Sequence, residues 1–190
     1  MASQGPLGGA TGANTTLAGS NASWTNPNQV NAIDNSPAYW ANTGSTGYSD
    51  YLAATGFGFS IPGGNTINGI VVEWYKETTT GSGGIKDYAV RLVKGGVIGS
   101  TDRASGSSWV QNTYTYSAYG TSSDLWGATW TPTDINASNF GTALAVQDTV
   151  GGKQGFVDYV RVTVYYTAAA SGPLFTGLLK QQAVTRACNY

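Results

Sequence analysis

The sequence contains no histidine and one cysteine, Cys188, among 190 residues. Without imidazole there is no His-based triad, no His-ligated metal and no imidazole acid–base catalysis. A lone cysteine excludes an internal disulfide and a thiolate zinc site, which leaves Cys188 as a tail residue or an intermolecular bridge. Charge is scarce as well. Only 10% of residues are charged, nine basic against ten acidic, for a net charge of −1. So neutral a chain argues against a protein that grips nucleic acid or an anionic membrane through a basic face. No apolar run is long enough to span a bilayer as a helix. Met1 to Pro6 lead into neither a basic stretch nor an apolar one, so no secretory signal is read and synthesis in a cytoplasm is expected.

Other residues are plentiful: 27 Gly, 12 Tyr and 6 Trp, with 41% of the chain hydrophobic. A glycine-rich, aromatic-rich, charge-poor composition is that of an all-β protein with many turns. This length suffices for one sandwich with a proper core.

Residues 1–20 carry no charge, no aromatic and no period, and read as an extended N-terminal arm. Ordering such a segment costs about 1–2 kcal/mol per residue. The expectation is that a neighbouring subunit or another protein holds it, the alternative being that it folds back on its own domain. Residues 21–167 read as strands between Gly, Pro, Asn and Ser turns. Phe57, Phe59 and Ile61 alternate, as do Ile70, Val72 and Trp74, and then Tyr88, Val90 and Leu92. A hairpin is expected at Gly95-Gly96. Further strands are expected at 109–116, 142–146 and 156–167, the last with Phe156, Val160, Val162, Val164 and Tyr166 on one face and Asp158 as a polar intruder. Thr131-Pro132-Thr133-Asp134 predicts a short capped helix. Residues 168–190 form a C-terminal arm. Its apolar residues Leu174, Phe175, Leu178 and Leu179 are expected to dock on this domain or on a partner.

The stretch from Trp24 to Tyr166 resembles a β-sandwich domain of phage virion proteins and of some large bacterial surface proteins. The resemblance rests on YLAATGFGFSIPGGNTINGIVVEWYK, VRLVKGGVIGS, LWGATWTPTDINASNFGTALAV and VDYVRVTVYYT, in that order. It implies a jelly-roll-like sandwich in capsid decoration, head-fibre or tail-associated parts, and it brings no catalytic residues.

Candidate chemistry is thin. Glu73 and Glu77 share one face of a strand, but their backbones stand about 13 Å apart, more than a glycosidase pair tolerates. Asp50, Asp87, Asp102, Asp124, Asp134, Asp148 and Asp158 are scattered, with no D-x-D-x-D-G calcium loop. The Gly-rich stretches at 81–84 and 151–152 are turns rather than phosphate loops. The aromatics, including Trp40, Trp74, Tyr75, Trp109, Tyr114, Tyr116, Tyr119, Trp126 and Trp130, serve either a core and subunit interfaces or sugar stacking. Trp40, Trp109 and Trp126 are the residues named for stacking on a glycan.

The expected fold is all-β, a jelly-roll-like antiparallel β-sandwich with extended N- and C-terminal arms. The expected role is that of a structural virion protein, with no enzymatic activity, no cofactor and no metal. Its partners would be copies of itself, as a trimer or larger array, and other virion proteins such as the major capsid or tail protein. The alternative is a carbohydrate-binding receptor or adhesin module touching a host glycan.

Overall fold

The computed structural model describes residues 1–79 and 84–170. In chain order its strands are β1 (Ala2–Gly8), β2 (Thr11–Thr15), β3 (Ala38–Ala41), β4 (Gly47–Tyr48), β5 (Tyr51–Thr55), β6 (Thr66–Thr78), β7 (Ile85–Lys94), β8 (Val97–Ile98), β9 (Thr115–Tyr119), β10 (Gly141–Asp148) and β11 (Gln154–Thr167). A 3-10 turn (Pro27–Val30) and one short helix, α1 (Pro132–Asn136), complete the described elements.

The strands form two antiparallel sheets. One has the order β1-β11-β6-β9, with β3 also on β11. The other has the order β2-β5-β10-β7-β8, with β4 also on β10. The chain changes sheet at most of its connections, which makes the sandwich jelly-roll-like. Two long strands each serve two partners along one edge. β11 pairs with β3 through Gln154–Val157 and with β1 through Arg161–Tyr166. β10 pairs with β5 through Gly141–Leu144 and with β4 through Gln147–Asp148.

Apolar side chains of both sheets fill the space between them. Trp40, Trp74, Phe140, Leu52, Ile70 and Leu144 are fully buried there. The alternation of Ile70, Val72 and Trp74 in β6 is realised as read. Phe57, Phe59 and Ile61 also point inward, but from a loop with no strand partners. Bulges change the phase of two other strands. In β7, Ala89 faces Ala145 and Asp87 faces Val146, so Tyr88 is the extra residue. Ile85 and Asp87 are therefore buried on one side of the bulge and Val90 and Leu92 on the other, while Tyr88 is 40% exposed instead of sharing their face. In β11, Val157 faces Lys76 and Tyr159 faces Tyr75, which leaves Asp158 as the extra residue. Val157 goes inside, and Phe156, expected on the core face, turns out opposite Glu77.

The N-terminal segment is not an arm reaching to a neighbour. β1 closes one edge of the first sheet on β11, and β2 closes one edge of the second on β5. Backbone hydrogen bonds, rather than apolar burial, order it. Its small residues permit close packing: a Cβ on Gly12 would stand 1.9 Å from the carbonyl oxygen of Pro27. The strand expected at 109–116 is displaced, since regular pairing begins only at Thr115.

The turn at Gly95-Gly96 links β7 to β8 with both residues at positive φ, 59° and 82°. Helix α1 has the predicted cap. The Thr131 hydroxyl accepts from the Asp134 backbone N–H, and the Asp134 carboxylate accepts from that of Thr131. Leu174, Phe175, Leu178 and Leu179 lie outside the described residues.

One polar contact crosses the core. Lys76 of β6 and Asp87 of β7 are each 3% exposed and lie in opposite sheets, with Nζ 2.5 Å from Oδ1. The Tyr119 hydroxyl, the Trp109 indole N–H and the Ser105 backbone N–H also donate to Asp87. Burial pulls the Lys76 ammonium below its ordinary pKa against the opposing pull of Asp87.

Candidate functional site on the outer face of the β1-β11-β6-β9 sheet

Strand period places the outward residues of β6. Ile70, Val72, Trp74 and Lys76 are buried, so Val71, Glu73, Tyr75 and Glu77 face solvent. Neighbouring strands extend three of these positions into rows. Glu73 lies between Arg161 of β11 and Ala118 of β9. Tyr75 lies between Tyr159 and Tyr116. Glu77 faces Phe156, and Phe156 faces Tyr39 of β3. The chain's only two glutamates therefore share this surface with a patch of aromatic rings.

The rings pack on one another. The centroid of Tyr75 is 4.7 Å from that of Tyr116 and 5.2 Å from that of Tyr114, and Tyr39 lies 6.1 Å from Phe156. The Arg161 guanidinium sits 3.9 Å from the Tyr116 ring centre. It donates two hydrogen bonds to the Glu73 carboxylate, at 2.8 and 3.0 Å. That bidentate geometry fixes both planar groups. Tyr116 remains 36% exposed, and Tyr75, Tyr114 and Tyr159 are half-buried.

Electrostatics differ along the face. At the Glu73 end a charge pair is held by hydrogen bonds. At the Glu77 end the carboxyl has a raised pKa, first from burial and then from the charge of Asp158. Burial also raises Asp158, and its Oδ1 has no hydrogen-bond partner among the described residues. The Tyr114 and Tyr116 hydroxyls are pushed up, chiefly by burial. They stay protonated at neutral pH and can both donate and accept. Among the described residues no group of three or more His, Cys, Asp or Glu side chains comes together to hold a metal ion.

The tryptophans named for stacking belong to the interior. Trp40 is fully buried, Trp109 is 5% exposed and Trp126 is 3% exposed. The Trp109 indole donates to Asp87 and the Trp126 indole to the carbonyl of Ile70. Their size and amphipathic character suit the core of a sandwich, where each of these two indole N–H groups finds an acceptor. Trp126 and Trp130 also line a groove of about 330 Å³ with Leu92, Lys94, Val97 and Thr101. Both indole N–H groups there are already bound to backbone carbonyls. The partly exposed rings of this face are tyrosines and Phe156 instead. Tyr75 carries its signal in the sequence, at a position that alternates with the buried Ile70, Val72 and Trp74.

No family model and no curated protein matches the chain. Among solved structures, TmCBM61 in complex with beta-1,4-galactotriose is similar over 73% of this chain and 77% of that chain, at 11% identity and a TM-score of 0.35. So loose an overlap transfers neither a site nor a function.

Proposed function

We propose that the protein is a carbohydrate-binding module whose ligand lies along the outer face of the β1-β11-β6-β9 sheet. The observation that carries this reading is the Tyr116–Tyr75–Tyr159 row, bracketed by the Arg161–Glu73 pair and by Glu77. Sugars present apolar C–H faces that pack on aromatic rings and vicinal hydroxyls that suit planar, bidentate partners. Tyrosine supplies both ring and hydroxyl, and the Glu73 and Arg161 side chains are already held in place. The near-neutral chain favours an uncharged glycan over a polyanion.

Titration of neutral oligosaccharides against the full chain tests this. Tyr75→Ala and Tyr116→Ala are each expected to weaken binding tenfold or more, about 1.4 kcal/mol, with the fold kept. Undiminished binding in both variants, or no binding of any neutral glycan in a broad panel, would overturn it.

A second reading, a capsid-decoration, head-fibre or tail-associated virion protein acting as a homo-oligomer, rests on the ordered run of motifs between Trp24 and Tyr166. It is compatible with glycan contact from a particle surface. Light scattering on the full chain addresses it: a trimer or larger assembly supports it, and a monomer counts against it.

A further inference from the structure

The Lys76–Asp87 contact has more machinery around it than an ion pair needs. Lys76 Nζ lies 2.5 Å from Asp87 Oδ1 and 2.5 Å from the Tyr119 hydroxyl oxygen. That hydroxyl donates to the other carboxylate oxygen, Oδ2, at 2.8 Å. Tyr119 therefore bridges the amine and Oδ2. The Trp109 indole N–H donates to Oδ1 at 2.8 Å, and the Ser105 backbone N–H donates to Oδ2 at 3.0 Å. A cavity of about 60 Å³ adjoins the pair, lined in part by Ser105, Ser108, Thr115 and Ser117. It is polar and large enough to take a water molecule.

We propose that Lys76 and Asp87 condense to an intramolecular isopeptide bond that joins the two sheets covalently. The reaction balances without any further reagent. The ammonium first gives one proton, through the Tyr119 hydroxyl, to Oδ2, which leaves a neutral amine beside a carboxylic acid. The Nζ lone pair attacks Asp87 Cγ, and the new N–C bond forms as negative charge gathers on Oδ1. A second proton passes from nitrogen through Tyr119 to Oδ2. The Cγ–Oδ2 bond breaks and Oδ2 departs as water into the cavity, leaving Nζ–H amide-bonded to Cγ=Oδ1.

Each requirement has a residue. The Trp109 N–H meets the charge that develops on Oδ1, as an oxyanion-hole donor does. The fixed pair gains the rate advantage of intramolecular reaction. Burial makes the neutral amine accessible, since desolvation lowers the Lys76 pKa. It also favours the product, because condensation removes two charges from the interior.

Intact-mass spectrometry of the folded full chain, denatured just before injection, tests the proposal. The expected mass lies about 18 Da, one water, below that of the sequence. Trypsin is then expected to leave Lys76 uncut and to release Asp87–Arg91 tied to the peptide that contains it. Lys76→Arg and Asp87→Ala are expected to show no loss, and Tyr119→Phe to acquire it several-fold more slowly after synthesis, read as a larger full-mass fraction in freshly made protein. Full mass in the wild-type chain with normal cleavage at Lys76 overturns the proposal. So does a loss of water that persists in Lys76→Arg.

Discussion

Glu73 and Lys76 stand three residues apart on β6 and belong to two ion pairs of contrasting kind. Lys76–Asp87 lies inside, with side chains 3% and 1% exposed. Arg161–Glu73 lies outside, at 29% and 21%. The period of a strand sends one pair into the core and the other to the solvent face. Water does part of the work for the outer pair. The inner pair has replaced it with a tyrosine, an indole and a backbone amide, because an ion taken out of water without such partners costs several kcal/mol. The comparison teaches that a charge in this charge-poor chain is kept where specific donors surround it.

The largest expected effect comes from breaking the inner pair on one side. Lys76→Met leaves Asp87 buried without its cation and is expected to cost about 3–5 kcal/mol in urea unfolding. The double variant Lys76→Met/Asp87→Leu is expected to recover a large part of that loss. Recovery would show that the penalty belongs to the stranded charge, and its absence would point to the pair's own bond.

Acid sharpens the contrast between carboxylates whose donors outweigh burial and one, Asp158, for which burial outweighs the donors. For Asp50, burial alone would raise the pKa, but hydrogen bonds from Ser20, Ser23 and the Leu17 N–H carry it below the ordinary 3.8. Asp148 is likewise lowered on balance, burial being outweighed by the Val150, Lys153 and Gly151 N–H groups. Their stabilising effect is complete above 3.8 and is lost as pH falls through the depressed values. Asp158, raised by burial, has the opposite sign: the folded state holds its proton more tightly, so stability falls as pH rises through its window. Urea midpoints followed from pH 7 to pH 2 are expected to drop below about pH 4. Asp158→Asn is expected to be neutral or stabilising at pH 7.

Removing the helix cap with Thr131→Ala is expected to cost about 1 kcal/mol, between the effects of the inner and outer pairs. Arg161→Gln is expected to cost at most about 1 kcal/mol at low salt. Repeating the measurement in molar salt should erase that difference and leave the effect of Lys76→Met nearly unchanged. A salt-insensitive loss at Arg161 would show that its packing on Tyr116 matters more than its charge.

Much of the sandwich was legible in the sequence where a local rule acts alone. The β6 alternation, the Gly95-Gly96 turn and the Thr131 cap each depend on a few neighbouring residues. The first two strands were not legible, because Gly, Ala and Thr carry no apolar period and their order comes from the backbones of β11 and β5, far away in the chain. The bulges at Tyr88 and Asp158 were hidden for a similar reason: an extra residue is defined only against its partner strand. It reversed the faces expected for Tyr88 and Phe156. Of the candidate site, Glu73 and Glu77 were recognised as sharing a face. Assigning sugar contact to Trp40, Trp109 and Trp126 followed ring size, whereas burial takes these three indoles into the interior and leaves Tyr75, Tyr114, Tyr116 and Tyr159 at the surface of the sheet.

The pairing of Ala2 with Tyr166 sets the first and last of the described strands side by side at one end. A pull applied between these two points meets β1 and β11 in the geometry of a zip, one hydrogen bond at a time. On β6 it first meets Thr66 and Ile67, which pair with this end of β11, at the opposite end of that strand from Lys76. The sandwich is thus mechanically soft at its own two ends, while a force entering through the tyrosine face on β6 and leaving through β7 would run directly through that contact.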